Sequence, residues 1–454
     1  MSRDAAKHFA GVSRRRLVVS FVWLAGAVLV TVAALYASHS PVERATLDGA
    51  AYLCGASAIF GIVYMLFAAA LTRRFLARPC AEPSSFPGVT IIKPLHGNEW
   101  ALLDNLSGFC RQDYPGPIQY LFGVHDEADP ALEVVERLRL MHPDAQISTV
   151  ADSRLYGPNR KMSNILNMLP RAQHDILVFA DSDVGVSAHY LRGIVGELQK
   201  PGVGLVTCLY RGLPDPGFWP RLSAKASNYH FLPSVIVGMA VRLARPCFGQ
   251  TIALRRATLD RIGGFAQFTH HLAEDHAIGE AVRKLGERVV IPPIIVTHAC
   301  VETSAAQLIS HELRWSRTIR TIDPAGHLGS LLTHPFALGL LAIALSGGAA
   351  WAWPVTLVAL FTRLALKLQL DRALGQVSSD LWLLPAWDLF CFAIFVASFF
   401  STRVLWRGFQ FKVGRDGLLY PIESNERGLP SAGTSPWAHP GTPPTNDLSL
   451  APHD

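Results

Sequence analysis

Four long apolar stretches divide the chain. Leu17 to Ala37 carries no charge, and Leu47 to Leu71 carries only Asp48. The pattern resumes beyond Thr333, from Phe336 to Leu360 and from Leu381 to Ser401, with Asp388 the one charge in the last stretch. Each is long enough for the ~20 apolar residues with which a helix crosses a hydrocarbon core. Between them, Phe86 to Asp323 reads as a soluble domain. This predicts a two-helix membrane anchor over 1–85, a catalytic domain over 86–325 and C-terminal membrane segments over 326–422. Residues 423–454, rich in Pro, Ser, Gly and Asn, read as a disordered tail. Gly347, Gly348 and Pro354 offer a break inside the third stretch, which leaves the number of C-terminal passes open.

A cleaved signal peptide is the competing reading of the first stretch, with Arg14, Arg15 and Arg16 as its basic region. The apolar run is long for that role, so a retained anchor is the expectation. Basic residues flank the hairpin at Arg14 to Arg16 and at Arg73, Arg74 and Arg78. The positive-inside rule then makes both ends, and the central domain, cytoplasmic. The expected location is the inner (cytoplasmic) membrane, with the chain multi-pass. Two further clusters, Arg363/Lys367/Arg372 and Arg403/Arg407/Lys412/Arg415, cannot both be cytoplasmic if each apolar region crosses an odd number of times.

Inside the central domain the periodicity alternates between strand and helix. Gly88 to Ile92, Tyr120 to Val124, Ile147 to Val150 and Ile176 to Ala180 read as strands, the last apolar throughout and so central. Trp100 to Cys110, Ala131 to Met141, Ser163 to Leu169 and Ala277 to Leu285 read as helices. Such alternation predicts an α/β sheet whose ligand lies beyond the carboxyl ends of the strands. That rule singles out Asp126/Asp129 and Asp181/Asp183, which directly follow two strands.

Composition adds constraints. Of 454 residues 50% are hydrophobic and only 17% charged, below the ~25% charged of soluble proteins, as membrane segments require. The net charge of +6 is carried largely by residues near the apolar stretches, which suits a lipid bilayer with anionic headgroups. No basic, aromatic-studded face marks a nucleic-acid partner. The seven Cys are scattered singly, without the close pairs of a zinc site.

The acidic groups carry the candidate chemistry. Asp181–Ser182–Asp183 presents hard oxygen ligands of the kind that hold Mg2+ or Mn2+ together with substrate phosphates; the same carboxylates could instead cap a turn. Glu274–Asp275 opens a helix, where Asp275 is either a first-turn carboxylate or a general base. His270, His271 and His276 around it form no clean metal-ligand set. His311–Glu312–Leu313–Arg314–Trp315 lies on a basic helix before the membrane re-entry. An Arg there suits a diphosphate and a Trp suits an acceptor wall or the lipid interface.

Taken in order, Asp126/Asp129, Asp181–Ser182, Glu274–Asp275 and Arg314–Trp315, flanked by membrane segments, resemble the family 2/21 membrane glycosyltransferases. The likeness is to ceramide glucosyltransferases and to the bacterial hopanoid-biosynthesis branch. Supporting phrases are Ile91–Ile92–Lys93–Pro94–Leu95–His96–Gly97, Gln112–Asp113–Tyr114–Pro115, Gly157–Pro158–Asn159–Arg160–Lys161 and Gly249–Gln250. The resemblance covers Val89 to Thr321 and implies a GT-A-like nucleotide-sugar domain with a Rossmann-like mixed sheet. It makes Asp126 or Asp129 the nucleoside contact, Asp181 and Asp183 the metal pair and Asp275 the catalytic base. Arg314 and Trp315 match the end of a (Q/R)xxRW signature whose first position here is His311, a departure. With Gly249 and Gln250, His311 falls on the acceptor side.

The implied reaction is an inverting transfer of a hexose or N-acetylhexosamine from a UDP-sugar donor to the hydroxyl of a membrane lipid acceptor, ceramide or a hopanoid polyol. Lys161 and Arg314 are the expected cations for the departing diphosphate. A glycoside hydrolase would also use two carboxylates but needs neither nucleotide nor anchor. A polysaccharide-polymerising synthase would carry more passes. A non-catalytic membrane protein gives no reason for acids to gather after consecutive strands.

Overall fold

In the computed structural model of the chain, the described residues are 31, 33–376 and 379–401, with the strand segments 403–406, 409–413 and 419–421. Most of the expected first membrane span and all of the expected tail lie outside them. The first complete element is the helix Pro41–Leu76, 36 residues long. Ser40 and Glu43 form a capping box, Pro41 sits in the first turn, and Arg73 and Arg74 close the last. At ~1.5 Å per residue it outruns a bilayer core. Its far end reaches the soluble domain, where Phe75 packs with Leu209, Leu232 and Ile236.

The central domain contains the strands β1 Val89–Pro94, β2 Ile118–Val124, β3 Gln146–Ala151, β4 Ile176–Phe179, β6 Val203–Val206, β8 Ile252–Arg255 and β9 Arg288–Val290. They form a mixed seven-stranded sheet in the order β3-β2-β1-β4-β8-β6-β9. β4 is the central strand, as its continuous apolar run requires. β8 runs antiparallel to both β4 and β6, while the β1–β2, β1–β4, β2–β3 and β6–β9 pairs are parallel. Side chains alternate between two cores. Val89, Ile91, Ile176 and Val178 enter one, and Ile92, Leu177 and Phe179 the other. A second sheet, β5-β10-β7, joins Val184–Gly185, Ile295–Cys300 and Leu209–Pro214. This is the mixed α/β architecture expected of a GT-A-like domain.

Among the described residues three helices are long and apolar enough to cross a membrane, and a fourth span arises if one bent pair counts as a single crossing. The three are Pro41–Leu76, Ala352–Ala373 and Leu381–Phe400; the bent pair is Pro324–Thr333 with Pro335–Leu345, at 71°. The third apolar stretch breaks at Gly347 and Gly348, with φ of 63° and 89°, between the helices Pro335–Leu345 and Ala352–Ala373. Close helix contact depends on small residues. A Cβ on Gly61 would fall 2.5 Å from the Leu332 carbonyl oxygen and 2.9 Å from Pro335 Cβ. Beyond Phe400 the described segments pair as a three-stranded antiparallel sheet, Arg403–Trp406, Phe409–Val413 and Leu419–Pro421.

Arg363 and Lys367 are not flanking charges at a membrane surface, because both are buried within the helix bundle. Arg363 Nε lies 2.9 Å from Asp388 Oδ2, and Lys367 Nζ lies 2.6 Å from Asp371 Oδ2. Burial of a charge demands such a partner. With both residues internally neutralised, only the exposed Arg372 of that cluster is left as a flanking charge.

Candidate active site

The central strand ends by releasing three polar residues into the turn before β5. Ala180 N–H still donates to the Ile92 carbonyl at 3.2 Å. Asp181, Ser182 and Asp183 follow, before β5 pairs with β10. From the end of β1, the buried Lys93 donates Nζ–H to the Asp181 carbonyl oxygen at 2.7 Å. Burial pushes its ammonium down to about 7, against the pull of Asp183 and Asp181. In the sequence Lys93 entered only within the phrase Ile91 to Gly97, with no role of its own; its place beside the loop exists only in the fold.

Lys161 stands at the start of the helix Arg160–Met168, whose N-cap Asn159 accepts from Met162 N–H. Its Nζ lies 2.6 Å from Asp181 Oδ1 and 3.0 Å from Glu274 Oε1. Burial works against this charge, but Asp181 and Glu274 more than offset it and hold the ammonium above its usual range. The structure ties Lys161 to two carboxylates on the wall of the main cavity.

Asp275 sits in the first turn of the helix Glu274–Lys284. Gly249 N–H donates to its Oδ2 at 2.9 Å, and His276 N–H to its Oδ1 at 2.7 Å. Burial, with neighbouring Glu274 adding to it, pushes its carboxyl up to about 7. Gly249 is where the charged groups converge. A Cβ there would fall 2.8 Å from Lys161 Nζ, 3.5 Å from Asp181 Oδ2 and 3.7 Å from Asp275 Oδ2. Three groups assigned from separate stretches of sequence thus meet around one residue without a side chain.

Asp183 is differently placed. Its Oδ2 lies 3.1 Å from His298 Nδ1, while its buried Oδ1 has no hydrogen-bond partner among the described residues. Burial opposes its ionisation, yet His298 and Lys93 hold it below the usual carboxylate range. His298 was not singled out from sequence. It lies near the end of β10 and leads into an aromatic group, with Trp315 at 6.0 Å and Tyr210 at 5.7 Å between ring centroids. Trp315 in turn meets His311 edge-on at 4.6 Å, and His311 Nδ1 contacts Glu302. Glu312 beside them is pushed up to about 8 by burial, with Glu302 contributing. Glu302 was missed, and Glu312 was read only as part of the stretch His311 to Trp315.

Asp126 and Asp129 occupy the turn after β2, where local geometry claims them. Asp126 Oδ1 accepts from Ala128 N–H at 2.9 Å. Asp129 accepts from Gly97 and Ala131 N–H at 2.8 and 2.9 Å and lies 3.2 Å from His96. Neither lines the main cavity, but their neighbours His96 and His125 do.

That cavity measures about 1860 Å³ and joins two environments. At one end are Asp181, Asp183, Asp275 and Gln250, with Arg314 and Trp315 along the wall. At the other are Phe60, Val63 and Phe67 of the long apolar helix, and Ile394 and Phe395 of the last one. Residues of a π-helical turn, Ser227–Phe231, line the same cavity, a local irregularity often found at functional sites.

An α/β domain with converging carboxylates and a hollow opening onto apolar helices is the form of a membrane-linked group-transfer site. The profile described as "Glycosyl transferase family 21" matches residues 53–419, and the chain belongs to that family. The resemblance to family 21 read from the motifs is thereby borne out. Curated relatives include "Ceramide glucosyltransferase 1" of Caenorhabditis elegans, 24% identical over 267 residues that cover 58% of this chain and 56% of that protein. "Ceramide glucosyltransferase" of Candida albicans is 37% identical over 126 residues, or 25% of this chain and 23% of the relative. The chain thus spans little more than half the length of the first. Among solved structures, a mannosyltransferase from Pyrobaculum calidifontis in complex with GDP-Man and Mn2+ is 22% identical, with a TM-score of 0.45, covering 78% of this chain and 99% of that one.

Proposed function

We propose that the chain transfers a hexose or N-acetylhexosamine from a UDP-sugar to a hydroxyl of a membrane lipid, with inversion at the anomeric carbon. The observation that carries this reading is the continuous cavity from the acid cluster to the apolar helices. A water-soluble acceptor would have no use for its apolar end. The named relatives point to ceramide as the acceptor; a hopanoid polyol is the second candidate, on the motif resemblance alone.

Asp275 is the base in this reading. It takes the proton of the lipid hydroxyl as that oxygen bonds to the anomeric carbon, and the bond from that carbon to the diphosphate breaks. A carboxyl poised at about 7 suits the task. Lys161 keeps the acid cluster compact, and Arg314 is the cation assigned to the departing nucleoside diphosphate. His311, held by Glu302 on the cavity wall, takes the acceptor side with Gln250.

A divalent Mg2+ or Mn2+ fits the residues present. Asp183 Oδ1 is a buried carboxylate oxygen with no partner among the described residues, and Asp181 stands beside it. No group of three or more His, Cys, Asp or Glu side chains forms a metal cage among the described residues, which suits an ion completed by substrate phosphates. Bound there, the ion would offset negative charge on the leaving diphosphate.

The proposed setting is the inner membrane with the domain facing the cytoplasm, supported by Arg73 and Arg74 at the domain end of the helix Pro41–Leu76. The test offers membranes labelled UDP-glucose or UDP-N-acetylglucosamine with ceramide or a hopanoid polyol, with and without chelator. A labelled lipid that disappears with chelator is expected. Transfer to water-soluble acceptors at equal rate would overturn the reading.

A further inference from the structure

The membrane end of the cavity is not uniformly apolar. His334 lines it, 6% exposed, and its Nδ1 finds no hydrogen-bond partner among the described residues. The residue sits at the joint of the bent helix pair, between Thr333 and Pro335. Broken helices at membrane depth persist where the freed polar groups face a cavity or protein. An unpaired nitrogen in such a place costs free energy unless a ligand meets it.

The surroundings hold this imidazole in place. His230, from the π-helical turn, stacks on it with ring centroids 5.6 Å apart and planes at 30°. Phe395 and Phe392 flank it at 5.5 and 5.7 Å. His230 is itself engaged at both nitrogens, with Nε2 3.1 Å from Asp388 Oδ1 and Nδ1 3.5 Å from Arg363 Nη2. Arg363 also donates to the Tyr229 and Thr333 carbonyls. The charges of Arg363 and Asp388 cancel within the protein, so the site offers a hydrogen bond without net charge.

We propose that His334, backed by the buried Arg363–Asp388–His230 network, binds a second uncharged polar group of the acceptor lipid, an amide or additional hydroxyl set back from the reacting hydroxyl. The site distinguishes a lipid with two hydrogen-bonding groups from a plain long-chain alcohol. It deepens the reading of the chain as a lipid glycosyltransferase and rests on that reading for its place in the reaction, but binding can be measured without turnover.

The experiment measures binding of fluorescent ceramide, and of a fluorescent long-chain alcohol of matched length, to the purified full chain in detergent. Wild type should bind ceramide more tightly. His334→Phe, which keeps an aromatic ring, should weaken ceramide about tenfold, the worth of one hydrogen bond to a buried polar group, and leave the alcohol unchanged. His334→Gln should recover part of the preference. Equal affinity of wild type for both probes, no binding of either, or an equal loss of both in His334→Phe would overturn the proposal. If selective binding persists while no UDP-sugar is ever transferred, the site stands and the glycosyl-transfer reading falls.

Discussion

Gly249 donates its backbone N–H to Asp275 Oδ2 at 2.9 Å, while Lys161 Nζ occupies the space where a side chain at position 249 would begin. Backbone and ammonium together locate the proposed base. Gly249→Ala would meet the far end of a flexible side chain, which can move aside. The fold should therefore survive with little change in thermal stability. Displaced charges should still lower kcat by about tenfold to a hundredfold, as small misplacements at reacting centres do. Circular dichroism melts and transfer rates on the same preparation check both halves.

Asp275→Asn keeps the shape and one acceptor oxygen but cannot take a proton. Turnover should fall by about 10²- to 10⁴-fold, the usual worth of a general base, while calorimetric binding of UDP stays close to wild type. Loss of both would assign the residue a structural role.

The raised carboxyl of Asp275 sets the pH dependence. Its basic form is present above about pH 7, so log kcat/KM should climb with pH up to that point and then level off. The acid limb should vanish from whatever residual rate Asp275→Asn retains. A profile from about pH 5 to 9 reads this directly.

Stability carries the opposite sign. A carboxyl whose folded pKa lies above its unfolded one favours the native state when protonated, and that contribution is lost as pH rises from about 4 to about 7. Asp275→Asn should accordingly raise Tm relative to wild type more at pH 8 than at pH 5 in differential scanning fluorimetry.

Much of this site was legible before the structure. The apolar run before Asp181 marked a central strand, and the strand-end rule pointed to the acids that follow it. The helix Ala131–Met141 matches its predicted limits. What could not be read were pairings between distant segments. Nothing local to Lys161 announces Glu274, because the two helices that carry them meet only in a shared core on the large sheet, and nothing local to Asp183 announces His298, because they meet only where β5 pairs with β10. β8 escaped for a related reason, since a four-residue strand with a short helix after it gives too little periodicity. The basic residues of the Ala352–Ala373 helix misled for a physical reason: Arg363 reads the same in sequence at a surface as in a buried pair.

That pair supplies a further prediction. Arg363→Met leaves Asp388 charged and buried beside His230, at a cost of about 3–5 kcal/mol. Adding Asp388→Leu should recover a large part of the lost stability. Thermal melts of the two variants in one detergent decide it; equal destabilisation would mean the loss comes from packing around the long Arg stem.

The long cavity has a consequence for water. On the proposed function, its acidic end would face the aqueous phase and its other end hydrocarbon, so before a lipid arrives the sugar nucleotide would share its chamber with solvent. A lipid entering from the bilayer would fill the apolar half with its own chains and drive that solvent out. The acceptor would then also be the stopper, and the chamber would become dry when the molecule to be glycosylated is in position.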